Sequence, residues 1–385
     1  MSGSSSEYDP NATGFSYRCD QCGAQMQFDG ARGMLACAMC GATKAAPQAA
    51  AVGGAAAGAE VGQVQEIRLD QGLIMSKSKG LGTETVSARC DECGAVVQFT
   101  PGVTATRCTF CDSPKVLAQQ SQGTSLTPES LIPFGLDAKA AQAAFGKWLK
   151  GLWFRPGDLT SESKIKELKG VYVPYWTFDA RAHSNWNADA GYYYYIEEEY
   201  WATENGKKVK RTKRVKHTRW EPAWGQRSDF FDDKLICASK GLPANLVKQV
   251  SNFSTKELVP YQPSFLAGWS AEAYAIDLEL AWKTAQAEMF SEQTDRCRKD
   301  VPGDTQRNLR VNTRLSEQTF KHVLLPVWIA AFRYNDKPFR FLVNGQTGKV
   351  SGKAPYSAFK IILFIAVIAA IIAGIVIAVQ RSKGG

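Results

Sequence analysis

Two small β ribbons, each built on four cysteines, an α+β central domain and one C-terminal transmembrane helix are the fold class this sequence predicts. Three observations carry the prediction. Eight of the ten cysteines fall into four Cys-x-x-Cys pairs before residue 112, a mixed strand and helix pattern fills residues 131–357, and an unbroken apolar run follows it. With 385 residues, 44% of them hydrophobic, the chain can bury several cores, which excludes a disordered protein. The net charge of +9 suits anionic lipid or nucleic acid equally and selects neither.

Residues 1–16 carry no basic n-region and no apolar h-region, so no secretory signal is expected and the thiols are expected to stay reduced. Reduced, paired thiols read as metal ligands rather than disulfides. Cys19-Asp20-Gln21-Cys22-Gly23-Ala24 recurs as Cys90-Asp91-Glu92-Cys93-Gly94-Ala95, and each copy closes with a second pair, Cys37/Cys40 or Cys108/Cys111, after the same 14-residue gap. Two copies of one ribbon, at 17–46 and 83–118, are the simplest account. The predicted ligands are Cys19, Cys22, Cys37 and Cys40 for one Zn2+, and Cys90, Cys93, Cys108 and Cys111 for a second. Tetrahedral zinc takes four thiolates, and a site closed by four protein ligands is structural, not catalytic. Gly23, Gly41 and Gly94 suit the left-handed turn after a knuckle; Asp112 replaces glycine in the fourth.

Residues 47–82 form an Ala/Gly-rich linker, and 47–63 in particular lack the side chains to build a core. The ribbons are therefore expected to be mobile, and the central domain to fold without them. A second linker spans 119–130, including Ser121 to Ser125. Within 131–357, Ala138 to Lys150 reads as a helix and Val171 to Phe178 as a strand. Asn205-Gly206 is a type I′ hairpin signal. Apolar spacing predicts a helix from Ser270 to Asp300, stopped by Val301-Pro302-Gly303. Strands follow at Lys321 to Tyr334 and Phe339 to Val343, with a turn at Asn344-Gly345. The irregular alternation favours α+β over a parallel α/β domain.

Ile361 to Val379 holds 19 consecutive apolar residues, about 28 Å of helix, against a hydrocarbon core of about 30 Å. A single span at 359–380 with a short tail at 381–385 is expected, tail-anchored in the inner cell membrane. Lysines and arginines flank it on both sides, so the positive-inside rule does not orient it; reduced thiols and the missing signal place the N-terminus in the cytoplasm. Ala366, Ala370, Gly374 and Ala378 form a small-residue stripe suited to packing against another transmembrane helix.

Charge weighs between partners. The first ribbon nets +1 and the second −1, too little uncompensated cation for a phosphate surface. The one strong basic run comprises Lys207, Lys208, Lys210, Arg211, Lys213, Arg214, Lys216 and Arg219. If Asn205-Gly206 is a two-residue turn, Glu204 faces Lys207, Glu198 faces Lys213 and Glu197 faces Arg214. Four acids, with Glu199, then offset eight bases and leave +4. A solvated, partly paired hairpin is favoured over a lipid-reading patch. No zinc-protease motif, nucleophile elbow or phosphate-binding loop is present, and His183, His217 and His322 are dispersed, so no enzyme is expected. Cys237 and Cys297 read as buried structural thiols.

The paired knuckles, Trp153-Phe154-Arg155-Pro156-Gly157, Val171-Tyr172-Val173-Pro174-Tyr175-Trp176, Phe231-Asp232-Asp233-Lys234-Leu235, Leu325-Pro326-Val327-Trp328 and the block from Phe341 to Gly352 resemble a bacterial membrane-anchored TFIIB-type zinc-ribbon family. Its members are often labelled primosomal replication-helicase-like, a label the residues do not support without a nucleotide-binding loop. Such proteins are found beside SPFH-domain and phage-shock-type membrane-stress proteins. The resemblance implies a membrane-tethered adaptor that recruits a cytoplasmic protein, an SPFH-domain protein among the candidates. The alternative is a nucleic-acid-binding membrane protein using the second ribbon and the basic hairpin 207–219.

Overall fold

The computed structural model describes residues 17–30, 32–45, 66–77, 86–90, 93–99, 108, 110, 116–120, 128–156, 168–204, 207–334 and 337–383. The expected tether at 47–63, the turn residues Asn205 and Gly206, the Ser121–Ser125 linker, and Cys111 with Asp112 lie outside them. The first ribbon is a three-stranded sheet of β1 (Met26–Asp29), β2 (Met34–Cys37) and β3 (Thr43–Ala45). Between the ribbons come β4 (Ile67–Arg68) and α1 (Leu69–Lys77), which do not hang free. β4 pairs with the central sheet at Thr319–Phe320, and Leu69 is buried beside Phe320 and Leu278. The second ribbon is β5 (Val86–Cys90), β6 (Val96–Phe99) and β7 (Val116–Gln120).

The rest of the chain builds one nine-stranded sheet. In chain order it contributes β8 (Ser130–Leu131), α2 (Ala138–Lys150), β9 (Lys169–Glu204), β10 (Lys207–Cys237), α3 (Ala244–Val250), β11 (Val259–Pro260) and β12 (Ser270–Ala271). Then follow α4 (Leu278–Asp300), β13 (Thr305–Tyr334), β14 (Lys337–Asn344), β15 (Val350–Gly352) and α5 (Ala358–Lys383). The main strand order is β10-β9-β13-β14-β15. The central region is thus mostly sheet, where an α+β domain is expected from the sequence. Three strands of 36, 31 and 30 residues account for the difference. The α2 expectation holds at both ends, with the Asp137 carboxylate accepting from Ala140 N–H. α4 begins eight residues later than expected, because Asp277 caps it through Leu280 N–H and Ser270–Ala271 instead pair in parallel with Val171–Tyr172.

β9 passes through three environments. Residues 171–180 are buried on both faces. Val171, Val173 and Tyr175 face α3 and the second ribbon, while Tyr172 faces α2 and Trp176 and Phe178 face α4. From 181 to 190 burial alternates: Ala182, Ser184, Trp186, Ala188 and Ala190 turn inward, and Arg181, His183, Asn185 and Asn187 are exposed. α4 covers that inner face, and the small side chains let it approach closely. Ion pairs pin it to β10 at Lys234–Glu288 (3.0 Å), Arg296–Asp229 (3.2 Å) and Arg227–Asp300 (2.9 Å).

At Gly191 both covers end. β13 starts opposite it, with Thr305 paired to Gly191 and Asp304 N–H donating to Gly191 O at 2.8 Å. A Cβ on Gly191 would meet Thr305, Thr218 and the Trp220 ring at 2.6–2.9 Å, so only glycine fits that crossing. Beyond it β9 and β10 continue alone as a two-stranded arm of 13 residue pairs, Tyr192–Glu204 against Lys207–Arg219, about 43 Å long at roughly 3.3 Å per residue. Its register is the expected one: Lys213 opposes Glu198, Arg214 opposes Glu197 and Lys207 opposes Glu204. Lys213 lies 3.5 Å from Glu198, and Lys210 pairs with Glu199.

Charge reversal at Lys213 and Arg214 together should destabilise the arm modestly, by a few tenths of a kcal/mol per pair. Reversing Glu197 and Glu198 as well should recover much of the loss in a thermal melt. A melt insensitive to either change would mean the opposed charges do not interact.

Candidate metal centres and the surfaces around them

The knuckles build themselves from backbone geometry. In each of the three described after a cysteine-glycine step, the glycine has positive φ, 71° at Gly23 and 74° at both Gly41 and Gly94. Its N–H returns to the carbonyl of the first cysteine, as in Gly23 to Cys19 (2.8 Å), Gly41 to Cys37 (3.0 Å) and Gly94 to Cys90 (2.8 Å). This loop turns the following N–H groups toward sulfur. Those of Cys22 and Gln21 depress the Cys19 thiol, and those of Cys40 and Met39 bring Cys37 down to about 6. Against the Ala42 N–H, which lowers it, the neighbouring sulfurs of Cys19 and Cys22 push Cys40 up to about 12. Four sulfurs gathered without a cation resist full ionisation, and a bound cation removes that resistance.

In the first ribbon Cys19, Cys22, Cys37 and Cys40 bring their sulfurs within 4.8 Å of one another. Cys19 and Cys40 are 3.5 Å apart, as are Cys22 and Cys37. Four thiolates held at about 2.3 Å by one tetrahedral ion stand about 3.8 Å apart, so the set fits such an ion. In the second ribbon Cys90, Cys93 and Cys108 converge in the same way, with Cys93 and Cys108 at 3.7 Å. The sites differ in depth. Cys22 and Cys40 are exposed on the first, whereas Cys90 and Cys108 are buried and Cys93 half-buried on the second. Thiolate sets of this geometry suit zinc or iron.

Both ribbons pack against the sheet, where the sequence expectation is of ribbons on a free tether. Phe28 N–H donates to Ala267 O at 3.1 Å and Trp269 Nε1 donates to Phe28 O at 3.0 Å. The Phe28 and Phe265 rings meet edge-on at 4.6 Å. A few residues on, Glu272 N–H bonds Tyr172 O on β9, and Ala273 N–H bonds Val96 O of the second ribbon at 3.0 Å. One segment, 265–273, therefore ties both ribbons to the sheet. Ala95, Cys90, Cys108 and Phe110 belong to the same core as Val171, Tyr175, Leu246 and Val250. No local pattern marks this segment, because its ribbon partners, Phe28 and Val96, lie far back along the chain.

A third group, Asp179, Asp232 and Asp233, also brings three carboxylates within reach of one ion. A cation already sits there. Lys321, 5% exposed, places Nζ 2.8 Å from Asp233, 3.2 Å from Glu66 and 3.6 Å from Asp179. Burial alone would lower its pKa, but the hydrogen bond to Asp233 and the charges of Asp179 and Glu66 outweigh it and raise it. Asp233 sits at the bulge between Phe231 and Lys234 with φ of 49°, which aims its N–H at Asp179. Of the two cysteines outside the knuckles, expected to be buried, Cys297 is buried and Cys237 is half-buried. Cys297 is buried under Trp186, and burial pushes the Cys237 thiol up to about 12.

Among the described residues nothing covers the arm in this way. Tyr194, Tyr195, Ile196 and Trp201 are exposed, Trp201 at 67%. Cross-strand pairs share a face, so Arg219 stands over Tyr192 and Lys213 over Tyr200 on one side, with Lys216 over Tyr193 and Arg214 over Tyr195 on the other. At the other end of the sheet, α5 presents the one helix among the described residues that is long and apolar enough to cross a membrane; the apolar window is Ala358–Ile377. Ala366, Ala370 and Gly374 lie on it.

No protein-family model matches this chain, and no solved structure matches it. It is similar to the uncharacterized protein YdjG of Bacillus subtilis (strain 168), 29% identical over 360 residues that cover 90% of this chain and 92% of that protein.

Two predictions test these surfaces. The purified chain should carry two metal equivalents, and a strong chelator should lower the melting temperature of the central sheet along with that of the ribbons. A sheet that melts unchanged after chelation would contradict the docking. Lys321→Met should cost about 3–5 kcal/mol in denaturant unfolding, since it leaves buried carboxylates without a counter-charge. Adding Asp179→Asn and Asp233→Asn should return part of that.

Proposed function

We propose that this chain is a non-enzymatic, membrane-tethered adaptor. α5 anchors it in the cell membrane with the ribbons on the cytoplasmic side, two structural Zn2+ ions hold the ribbons against the sheet, and the arm captures a cytoplasmic protein. The supporting observation is the arm itself. It projects past every covering element, exposes aromatic and cationic side chains on both faces, and stands at the far end of β9 from the anchor. β9 starts beside Ile329, one position from Ala330; β14 pairs Phe341 with that residue, and β15, which leads into α5, pairs Gly352 with Phe341. The tip is therefore roughly 115 Å of strand from the anchored end, at about 3.3 Å per residue. An arm of that reach favours a soluble partner over the lipid of its own membrane. Tyrosine, tryptophan and arginine are the residues that dominate protein interfaces. The net charge of +4 favours an acidic partner surface. The resemblance to zinc-ribbon proteins found beside SPFH-domain proteins makes such a protein the first partner to test.

Joining Tyr194 to His217 through an Asn-Gly turn shortens the arm without touching the anchor. Full-length protein purified from native membranes should retain its partner, and the shortened variant should lose it while staying in the membrane fraction. Partner retention by the shortened form would move the docking surface elsewhere. Salt-sensitive DNA or RNA binding by the arm, with no protein partner, would favour the nucleic-acid reading instead.

A further inference from the structure

The segment that follows α2 lies against the first turns of α5. Ser357 N–H donates to Phe154 O at 2.7 Å, Lys360 Nζ donates to Trp153 O at 3.4 Å, and the Phe154 ring meets Phe364 edge-on at 5.3 Å. Phe364 is six residues past the first residue of α5, about 9 Å along the axis, and inside the apolar window Ala358–Ile377. A ring packed on Phe364 therefore sits at the edge of the hydrocarbon when α5 spans a membrane. Its neighbours do not turn inward. Trp153 is 76% exposed, Tyr356 78% and Phe359 75%. Three large aromatic side chains open to water around one helix start are costly on a soluble surface and favoured at a headgroup layer.

Between this segment and residues 352–356 opens a cleft of about 970 Å³, lined by Trp153, Phe154, Arg155, Lys353 and Tyr356 among others. Two cations line it, and among the described residues no carboxylate does. Arg155 is held in place, since its Nε donates to Leu149 O at 2.7 Å and Nη1 to Pro156 O at 3.4 Å. We propose that the Leu152–Pro156 segment is a second membrane-contacting element, and that its cleft with Lys353 and Tyr356 binds the headgroup of an anionic phospholipid. The phosphate lies at Lys353 and Arg155, and the glycerol and upper acyl carbons lie against Trp153, Phe154 and Tyr356. The occupant is argued from continuity with α5 and from the charge of the lining. An apolar partner helix would need no cations here, and a free anion would need no exposed aromatic rings.

The inference rests on α5 spanning the membrane, so the experiment separates the two. Full-length protein is reconstituted into vesicles of phosphatidylcholine with and without phosphatidylglycerol, and into matching nanodiscs. Failure of the chain to float with vesicles would sink the anchor reading itself. If it floats, the fluorescence difference between the wild type and Trp153→Phe should be quenched by lipid brominated near the carbonyls and far less by lipid brominated at the chain ends. Native mass spectrometry should show phosphatidylglycerol retained in preference to phosphatidylcholine, with Lys353→Gln reducing that preference about fivefold, the worth of one cation at an anionic surface. A floating chain whose Trp153 signal is unquenched would overturn the inference and point to a protein cover. Equal retention of both lipids, or a preference unchanged in Lys353→Gln, would overturn the headgroup site. Retention of inorganic phosphate without preference for lipid would assign the cleft to a free anion and overturn it equally.

Discussion

The backbone of β9 sets the terms for everything else. A strand of 36 residues needs a hydrogen-bonding neighbour along each edge that is not in water. From Lys169 to Gly191 β13 takes one edge, and the other is taken by β12 at Val171–Tyr172 and by β10 from Tyr175 onward. Past Gly191 only β10 remains, and the free edge must face solvent. The side chains obey the same division: two-faced burial at the start, alternation beneath α4, and charged or aromatic side chains once the third strand has gone. Asp304 marks the change. Its own N–H closes the ladder on Gly191 O, while its carboxylate accepts Tyr193 N–H, at 2.7 Å, in place of a strand partner.

The ribbons are part of this arrangement rather than additions to it. A ribbon of about 30 residues buries little apolar surface of its own and depends on its metal to fold. Here each also lends its apolar side to the larger core, Met26, Phe28 and Leu35 against Ala267, and Ala95 and Phe110 against α3 and β9. Metal held by the cysteine sulfurs would therefore be coupled to the packing of the segment from Phe265 to Ala273, and through it to β9. A closed four-thiolate site serves such a role well, since it offers rigidity and no chemistry that competes with it.

What was legible in the sequence follows from which interactions are local. The knuckle spacing, its glycines, the helix over Ala138 to Lys150, the register set by the Asn-Gly pair, and the apolar run of α5 are each encoded within a few residues and legible there. The length of the strands was not read, although Ala180, Ala182, Ser184, Trp186, Ala188 and Ala190 carry a period of two. Small and polar residues in alternation look like a loop until α4 is known to cover them. The start of α4 was misplaced for a related reason. Ala271 and Tyr274 continue the helical spacing, but a strand pair to Val171 and the cap at Asp277 outcompete it. Ribbon docking and the Lys321 network depend on partners far apart in sequence, as with Glu66 and Lys321, and no pattern in one sequence marks them.

The order of the strands gives the molecule two unlike ends. β15 hands the chain to α5 at the end where β9 begins, and there Trp153, Tyr356 and Phe359 surround the helix start with Lys353 and Lys360. At the opposite end, rings and cations sit on a ribbon with no apolar face wide enough to form a core. Aromatic and cationic side chains thus occur at both ends with different backing. At the anchored end they stand on a continuous apolar surface that leads into α5, which fits a lipid interface. On the arm Tyr192, Tyr193, Tyr195 and Tyr200 each lie under a cation from the opposite strand, and Glu197, Glu198 and Glu199 interrupt the row of rings. Acids so placed offset half of the arm's eight cations and weaken its pull toward an anionic bilayer, whereas a protein surface with mixed charge can pair with both. The same two residue classes are thereby sorted, by their neighbours alone, into a surface suited to the membrane and one suited to a partner brought to it.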